Sequence, residues 1–479
     1  MIKLVFLGLS SLLVSLAITP IVTLIASRLG FVDRPDDVRK LHKRAVPRLG
    51  GIAIGISYVS AFLLLAAVSM AGLIPPYFPH LALAKELLPA AIVLFLTGLL
   101  DDIWGLKPWQ KLGGQIFAAS LAYFAGIRIL AIADHSAQWW SLPLTVLWLV
   151  GCTNAFNLID GLDGLAAGIG FLSTLTIVLA ALMQNNIALA VATIPLAGAL
   201  LGFLRYNFSP ASIFLGDCGS LLIGFLLGCY GVVWTQKCAT VLGMLAPVMA
   251  LALPVADVAL AIIRRFLREQ PLFSGDRGHI HHKLLAMGFK PTGVALILYG
   301  VCGIAAALAL LHARIYRSFG GPMVVLFCLL VWFGVAYLRY QEFGVMQKMF
   351  FGGEFRQLVK ARIRLDLFKT SLASVTALEE CWPAVREACR DLGFSAVILR
   401  LREKTYEGRF QGREPANTWN VTVALSPEDE ISIRYPLCAP VSAMTVVLLM
   451  ESLREQFRIR YARQAHAPET PRTAEELLV

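Results

Sequence analysis

The sequence predicts an all-α polytopic membrane protein with about 11 transmembrane helices and a small C-terminal cytosolic α+β module. Of the 479 residues, 57% are hydrophobic and only 15% are charged, against about 25% charged in ordinary soluble domains. Long apolar runs recur over residues 1–338, whereas residues 339–479 hold 18 of the 31 acidic residues. This composition excludes a single water-soluble globule, a disordered chain and a collagen-like fibre.

Eleven apolar runs approach the roughly 20 residues that a helix needs to cross a bilayer core. The first run follows Lys3 and is too long for the apolar core of an ordinary signal peptide, and no small-residue cleavage site follows it. We therefore interpret it as a span. The predicted spans are 3–27, 49–72, 87–100, 112–132, 140–157, 164–182, 187–204, 219–235, 239–263, 293–312 and 319–338.

The charges predict which side each loop faces. An odd number of spans places the two chain ends on opposite sides, and loops 31–48 and 264–292, on the side of the C-terminal tail, carry six Lys and Arg each. The positive-inside rule makes that side cytosolic. These cations are not interleaved with aromatic residues, so nucleic acid is not an expected partner. The nine cysteines form no CxxC pair, and we interpret them as small packing residues.

Past the membrane domain, 1–338, we expect a basic juxtamembrane linker at 339–370, a cytosolic α+β module at 371–463 and a flexible tail at 464–479. No acid–base or metal-binding constellation occurs in the module. Binding of a partner, homodimerisation and regulation are all open uses for it. Its predicted helices are 372–392 and 441–463, and its predicted strands are 395–402, 418–425 and 430–437.

Five polar clusters fall on the predicted cytosolic face. The first contains His42, Lys43 and Arg48, which could hold phosphates, although an ordinary cationic loop explains them about equally well. The second is the adjacent pair Asp101 and Asp102 at the end of an apolar run. Such carboxylates repel each other unless a metal, a lysine or a proton relieves them. The pair suits binding of a divalent metal or action as a general base. The structural alternative is a solvated helix end, which is less favoured because acidic residues at a helix C-terminus oppose the helix dipole.

The third cluster, Asn154, Asn157, Asp160 and Asp163, would form one polar stripe if the helix continued through it, and such a set is hard to explain by packing. In the fourth, Asp217 lies between glycines, where it could ligate a metal or simply cap a helix.

The fifth cluster contains three histidines within four residues but lacks the spacing of a zinc site. Its members are better suited to donate to phosphate or sugar hydroxyls, with a plain hydrophilic loop as the alternative. They are Arg277, His279, His281 and His282. Asp257 lies farther inside the ninth predicted span, and we expect it to form a structural ion pair with Arg264 or Arg265. Carboxylates, amides and cations on one face indicate phosphoryl transfer.

These clusters resemble, in order, the motifs of the polyprenyl-phosphate N-acetylhexosamine-1-phosphate transferases, the superfamily of glycosyltransferase family 4 and the phospho-MurNAc-pentapeptide transferases. The resemblance spans residues 1–338. The sequences NAFN and HIHH within these motifs are more similar to the bacterial undecaprenyl-phosphate GlcNAc-1-phosphate transferases than to the peptidoglycan branch. The motifs are PRLGG (47–51), DDIWGLKPWQK (101–111), NAFNLIDGLDGLAAG (154–168), FLGDCGS (214–220) and RGHIHHKLLAMG (277–288).

The resemblance implies transfer of HexNAc-1-phosphate, with GlcNAc-1-phosphate favoured, from a UDP-sugar to undecaprenyl phosphate in the bacterial cytoplasmic membrane. UMP leaves, and the lipid product starts a cell-envelope polysaccharide such as O-antigen. It implies Mg²⁺, with Mn²⁺ as an alternative, held by Asn157 and Asp217, and catalytic roles for Asp101, Asp102 and Asp160. Phe214 resembles the aromatic that stacks on uracil. The implied substrate-binding residues are His42, Lys43, Arg48, Lys111, Asn154, Asp163, Phe214, Arg277, His279, His281 and His282.

Three alternatives stay open. The phospho-MurNAc-pentapeptide transferases of peptidoglycan synthesis belong to the same superfamily, but they usually carry a longer lysine-rich insert after the paired aspartates. An ion-coupled transporter would place its acidic residues near the membrane midplane, whereas here they cluster at span ends. A non-catalytic scaffold could keep the fold and act through its tail, although the intact motifs argue against it.

Overall fold

The chain forms two compact units, Met1–Arg339 and Tyr340–Val479. The computed structural model describes residues 1–33, 45–72, 81–129, 139–235, 245–267, 278–338, 364–372, 379–402, 404–410, 418–436 and 443–465.

In its described residues, the first unit is helical apart from a two-stranded antiparallel ribbon, β1 (Val32–Asp33) and β2 (Val46–Pro47). Its helices follow the apolar runs of the sequence because a spanning segment must satisfy its own backbone hydrogen bonds. They are α1 (Ile2–Leu29), α2 (Gly50–Met70), α3 (Ala82–Trp104), α4 (Pro108–Phe124), α5 (Ser141–Ile159), α6 (Leu165–Met183), α7 (Ile187–Asn207), α8 (Gly216–Thr235), α9 (Leu245–Ala250), α10 (Ala252–Leu267), α11 (Ile280–Ala286) and α12 (Pro291–Tyr337).

Within the described residues, eight helices are long and apolar enough to cross a membrane, so the chain is a multi-pass membrane protein, but the eleven spans are not confirmed. The last two predicted spans, 293–312 and 319–338, lie in the single continuous helix α12 of 47 residues. Such a helix is about 70 Å long, more than twice a bilayer core. The predicted turn between these two spans is therefore absent.

Helix α8 is the core of the membrane unit, with nearly all of its residues buried. It packs against α2, α3, α5 and α6, and glycines make this close packing feasible. A Cβ on Gly224 would lie 2.6 Å from the carbonyl oxygen of Cys152 on α5. Buried hydroxyls join other helices: Ser11 Oγ of α1 donates to the Pro195 carbonyl of α7 at 2.7 Å.

Polar residues of the membrane unit concentrate at one set of helix ends. Asp101 and Asn157 lie in the last turns of α3 and α5, whereas Lys111 and Asp217 lie in the first turns of α4 and α8. Beside them Trp104 and Trp109 expose most of their surface, as aromatic residues do at a membrane–water interface. The polar residues therefore lie at the level of an interface.

The second unit contains the helical residues 364–372 (α13) and the helices α14 (Trp382–Asp391) and α15 (Ala443–Ala465). Its strands β3 (Ala396–Leu401), β4 (Lys404–Arg409), β5 (Thr418–Ala424) and β6 (Glu430–Pro436) form an antiparallel sheet of order β4-β3-β6-β5. Helices α14 and α15 supply much of the apolar cluster on one face, which includes Val397, Leu399 and Leu449. The sequence predicted three of the four strands but missed β4, whose charged residues hide its alternation. The predicted helix 372–392 is also wrong as one element, because Glu379–Cys381 form a 3₁₀ turn and α14 begins only at Trp382.

Candidate active site

The ammonium of Lys111 is the centre of a group of oxygen atoms from three other helices. Its Nζ lies 2.9 Å from Asp101 Oδ2, forms a short ion pair with Asp217 Oδ2 and lies 3.3 Å from Asn157 Oδ1. The tight turn between α3 and α4 sets this geometry, because Gly105 has a φ of +70° and Asp101 Oδ1 accepts a 2.7 Å hydrogen bond from the Leu106 amide.

Asn157 and Asp217, the two predicted metal ligands, are in direct contact. Asn157 Nδ2 donates to Asp217 Oδ1 at 2.6 Å and to Ser220 Oγ at 3.0 Å. Motifs 60 residues apart in sequence therefore supply one polar surface. Ser220 was not singled out from the sequence, although it lies one turn beyond Asp217 on the same helix face.

The adjacent aspartates of α3 differ in their surroundings. Asp101 faces Lys111, whereas Asp102 is only 5% exposed and accepts hydrogen bonds from the Asp217 and Cys218 amides, each at 2.9 Å. Asp102 thus satisfies amides at the beginning of α8 that have no partner within that helix. Arg48 Nη2 donates to the Asp102 carbonyl oxygen at 2.8 Å, which joins the first motif to the second.

Glycines allow the first and fourth motifs to touch. The Gly51 amide donates to the Leu215 carbonyl at 2.8 Å, and a Cβ on Gly51 would lie 2.2 Å from the Gly219 nitrogen. The close backbone approach at the start of α2 is therefore to another part of the chain. Phe214 lies in this contact: its amide donates to the Pro47 carbonyl at 2.7 Å, and its ring is half-buried.

Asp160 and Asp163 do not continue a helical stripe, because α5 ends at Ile159. Asp163 Oδ2 accepts a 3.0 Å hydrogen bond from the Ala211 amide and so holds the loop before α8. In the described part of the chain Asp160 has no hydrogen-bond or ion-pair partner. Burial, together with the carboxylates of Asp217, Asp102 and Asp163, raises the pKa of Asp160 to about 8. The loop thus presents a carboxyl group whose ionised form a cation would stabilise.

Asn154 binds α4 rather than the central cluster. Its Nδ2 donates to Gln115 Oε1 at 2.7 Å, and Gln115 Nε2 donates back to Asn154 Oδ1 at 3.2 Å. Gln115 lies one turn after Lys111, so this amide pair and the contact between Lys111 and Asn157 join the same two helices. Gln115 was not singled out from the sequence, although its spacing of four residues from Lys111 places the two side chains on one face of α4.

The histidine motif is attached to α10 through Asp257. Asp257 Oδ2 lies 2.8 Å from His279 Nδ1, and its Oδ1 accepts a 2.9 Å hydrogen bond from the Ile280 amide. The predicted ion pair of Asp257 with Arg264 or Arg265 is therefore wrong. The imidazole of His279 and the amide at the start of α11 occupy the two oxygens of the carboxylate. Both partners lie outside α10, so the spacing of charges along α10 could not reveal them.

His281 brings the histidine motif to the Asp160 loop. Its ring is 2% exposed, and a Cβ on Gly161 would lie 2.5 Å from His281 Nε2. Burial and the neighbouring His282 lower the pKa of His281 to about 4, so the ring is neutral near pH 7. His282 is half-buried beside it, with ring centroids 4.3 Å apart. Three predicted site residues, His42, Lys43 and Arg277, lie outside the described residues.

The donor set fits a hard divalent cation. Within the described residues, no group of three His, Cys, Asp or Glu side chains is arranged to hold a metal ion. The cluster instead combines the carboxylates of Asp101 and Asp217 with the amide oxygen of Asn157, and the single positive charge of Lys111 offsets one of the two negative charges. Mg²⁺ prefers oxygen ligands and usually retains several waters, so few protein ligands suffice. Such a site can gather the charge of a diphosphate.

Comparison with known proteins identifies one matching family model and relatives named as N-acetylglucosamine-phosphate transferases. The model of glycosyl transferase family 4 matches residues 86–235. A probable undecaprenyl-phosphate N-acetylglucosaminyl 1-phosphate transferase of Bacillus subtilis (strain 168) is 34% identical over 339 residues, which cover 69% of this chain and 90% of that protein. A decaprenyl-phosphate N-acetylglucosaminephosphotransferase of Mycobacterium tuberculosis (strain ATCC 25618 / H37Rv) is 34% identical, with 64% of this chain and 81% of that protein covered.

A relative whose name specifies a different transferred group also matches. The phospho-N-acetylmuramoyl-pentapeptide-transferase of Latilactobacillus sakei subsp. sakei (strain 23K) is 32% identical over 250 residues, covering 48% of this chain and 76% of that protein.

Proposed function

Because the chain belongs to glycosyl transferase family 4, we propose that it transfers N-acetylglucosamine 1-phosphate from UDP-N-acetylglucosamine to undecaprenyl phosphate. A phosphate oxygen of the lipid attacks the β-phosphorus of the nucleotide sugar. The bond from that phosphorus to the bridging oxygen breaks, and UMP leaves. The product is a lipid-linked diphosphate sugar that starts a cell-envelope polysaccharide. The observation that carries this proposal is the convergence of Asp101, Asn157 and Asp217 on Lys111.

Residues of the cluster would act mainly by positioning and charge. Asp217 and Asn157 would hold Mg²⁺, with Mn²⁺ as an alternative, and the bound ion would neutralise the diphosphate and orient it. Lys111 would contribute a second positive charge, and Asp101 keeps its ammonium in place at 2.9 Å. A lipid phosphate is already largely ionised near neutral pH, so Asp101 would only need to accept its remaining proton.

An apolar cavity supports a lipid acceptor. Its volume is about 420 Å³, and it lies between α5, α8 and α10 with Leu147, Trp148, Val232 and Val258 among its lining residues. Gly151 and Cys152 of α5 also line it, one turn before Asn154 and two before Asn157. A polyprenyl chain in this cavity would carry its phosphate towards the polar cluster.

The depth of the cluster favours the transferase over a transporter. Its residues occupy the terminal turns of α3, α4, α5 and α8, whereas a coupled transporter binds near the midplane on broken helices. A nucleotide sugar would reach such a site from water and a lipid phosphate from the bilayer. We place this face in the cytosol and the protein in the bacterial inner membrane, since the predicted cytosolic loops are rich in Lys and Arg.

A substrate panel tests the proposal. Purified full-length protein receives undecaprenyl phosphate, Mg²⁺ and one of UDP-N-acetylglucosamine, UDP-N-acetylgalactosamine or UDP-MurNAc-pentapeptide. We expect UMP and a lipid product whose mass matches N-acetylglucosamine. Exclusive use of the MurNAc substrate would favour the peptidoglycan branch, and no UMP from any donor would contradict the reaction class. The matched control is Asp217→Asn, which should form no product.

A further inference from the structure

The two edges of the sheet in the second unit differ in charge. One edge strand, β4, carries Lys404, Glu407 and Arg409, and charged side chains discourage pairing with another strand. The other, β5, reads Thr418-Trp-Asn-Val-Thr-Val-Ala424 and has no charged residue, proline or glycine. Within the described residues β5 pairs on one side only, with β6. The backbone N–H and C=O groups of every second residue of β5 therefore point away from β6 and from the sheet.

The side chains of β5 extend both faces of the sheet to this edge. Trp419 is 40% exposed and packs edge-on against Tyr435, with ring centroids 5.6 Å apart. Val421 and Val423 are only half-buried at the margin of the apolar cluster. On the opposite face Asn420 and Thr422 are exposed. A partner strand must therefore be uncharged, apolar on one face and polar on the other.

A second copy of β5 meets this description. Antiparallel pairing about a two-fold axis through Val421 places Trp419 opposite Val423 and Asn420 opposite Thr422. Aromatic–β-branched and polar pairs of this kind stabilise neighbouring strands, and no like charges meet. The same patch is used by both chains, as in a closed two-fold interface. Chains inserted in one membrane with the same orientation keep their modules on the same side.

We propose that two copies of this protein pair through β5, joining the two sheets of their C-terminal modules into one antiparallel sheet of eight strands. Dimerisation does not depend on the proposed reaction, so the two can fail separately.

Charge substitutions on the exposed face test the pairing and its register. Asn420→Glu with Thr422→Glu places like charges opposite each other in the dimer, whereas Asn420→Glu with Thr422→Lys places opposite charges there. Glu at 420 also suits Arg434, whose Nε donates to Asn420 at 3.2 Å. For purified full-length protein in detergent, light scattering should give a dimer mass for the wild type and for the Glu/Lys variant. The Glu/Glu variant should be at least about tenfold weaker in dimerisation, since two like-charge pairs form.

A crosslink provides the second measurement. Val421→Cys should give a disulfide-linked dimer on mild oxidation, well above the background from the native cysteines. Thr405→Cys on the exposed face of β4 is the matched control and should not exceed that background. A monomeric wild type, equal masses for all three proteins, or equal crosslinking at both positions would each overturn the proposal. Thermal unfolding of the variants checks that loss of the dimer is not loss of the fold.

Discussion

Asp102 of α3 accepts hydrogen bonds from the backbone amide of Asp217 and from the next amide, each at 2.9 Å. One aspartate thereby fixes the helix start that presents another aspartate to Lys111. The neighbouring Asp101 instead contacts the Lys111 ammonium at 2.9 Å. The two adjacent aspartates thus have different roles: Asp102 supports the start of α8, and Asp101 forms part of the charged cluster.

This division predicts different effects of two conservative substitutions. Asp102→Asn leaves one amide of α8 without an acceptor, so the loss of stability should approach the 0.5–2 kcal/mol typical of a lost helix cap. Asp101→Asn should lower UMP release at least about a hundredfold while the unfolding temperature stays near that of the wild type, because its carboxylate acts on charge. Thermal unfolding and UMP release in the same preparations separate these effects. Equal loss of stability in both variants would contradict the division.

The raised pKa of Asp160, about 8, predicts a pH-dependent stability. An unfolded aspartate titrates near 3.9, so between about pH 4 and pH 8 the folded chain binds more protons at this position. Stability is therefore lost as pH rises through this window. Asp160→Asn should unfold at a higher temperature than the wild type at pH 8 without divalent cations, and the difference should shrink towards pH 5. A difference that does not vary with pH would refute the assigned pKa.

The contact of Asp257 with His279 predicts that the histidine motif depends on α10. Asp257→Ala removes the acceptor of the Ile280 amide as well as the imidazole partner. Hydrogen exchange should become faster in the peptide 278–286, and the KM for the UDP-sugar should rise several-fold. Asp257→Asn, which keeps one acceptor oxygen, should have a smaller effect. Unchanged exchange in the alanine variant would show that α11 is held by other contacts.

The glycines of the first motif predict a steric effect with a matched control. A methyl group on Gly51 would meet the Gly219 nitrogen at 2.2 Å, whereas Gly113 of α4 has nothing within 4 Å of its Cβ position. Gly51→Ala should separate α2 from α8 and lower both stability and activity. Gly113→Ala should be neutral or slightly stabilising, since alanine favours a helix. Thermal unfolding of the two variants compares them directly, and equal behaviour would contradict the assigned contact.

Much of the membrane unit followed from the sequence because apolar runs determine where a helix can cross a bilayer. The meeting of Asn157 with Asp217 was expected from the resemblance to the transferase family, whereas the residues alone predicted only that their clusters lie on one side of the membrane. The task of Asp102 was not, because its acceptor role depends on a segment 115 residues away. The continuity of α12 was missed for a similar reason: Gly320, Gly321 and Pro322 indicate a turn locally, yet the helix passes through them.

We propose that Asn157 and Asp217 hold one divalent cation together. The test is Mn²⁺ binding to the purified full-length protein, measured by electron paramagnetic resonance without substrates. We expect Asn157→Ala and Asp217→Asn each to weaken Mn²⁺ binding at least about tenfold, and the double variant to be little weaker than either, because both remove the same site. Mn²⁺ affinity equal to that of the wild type in both single variants would contradict the claim.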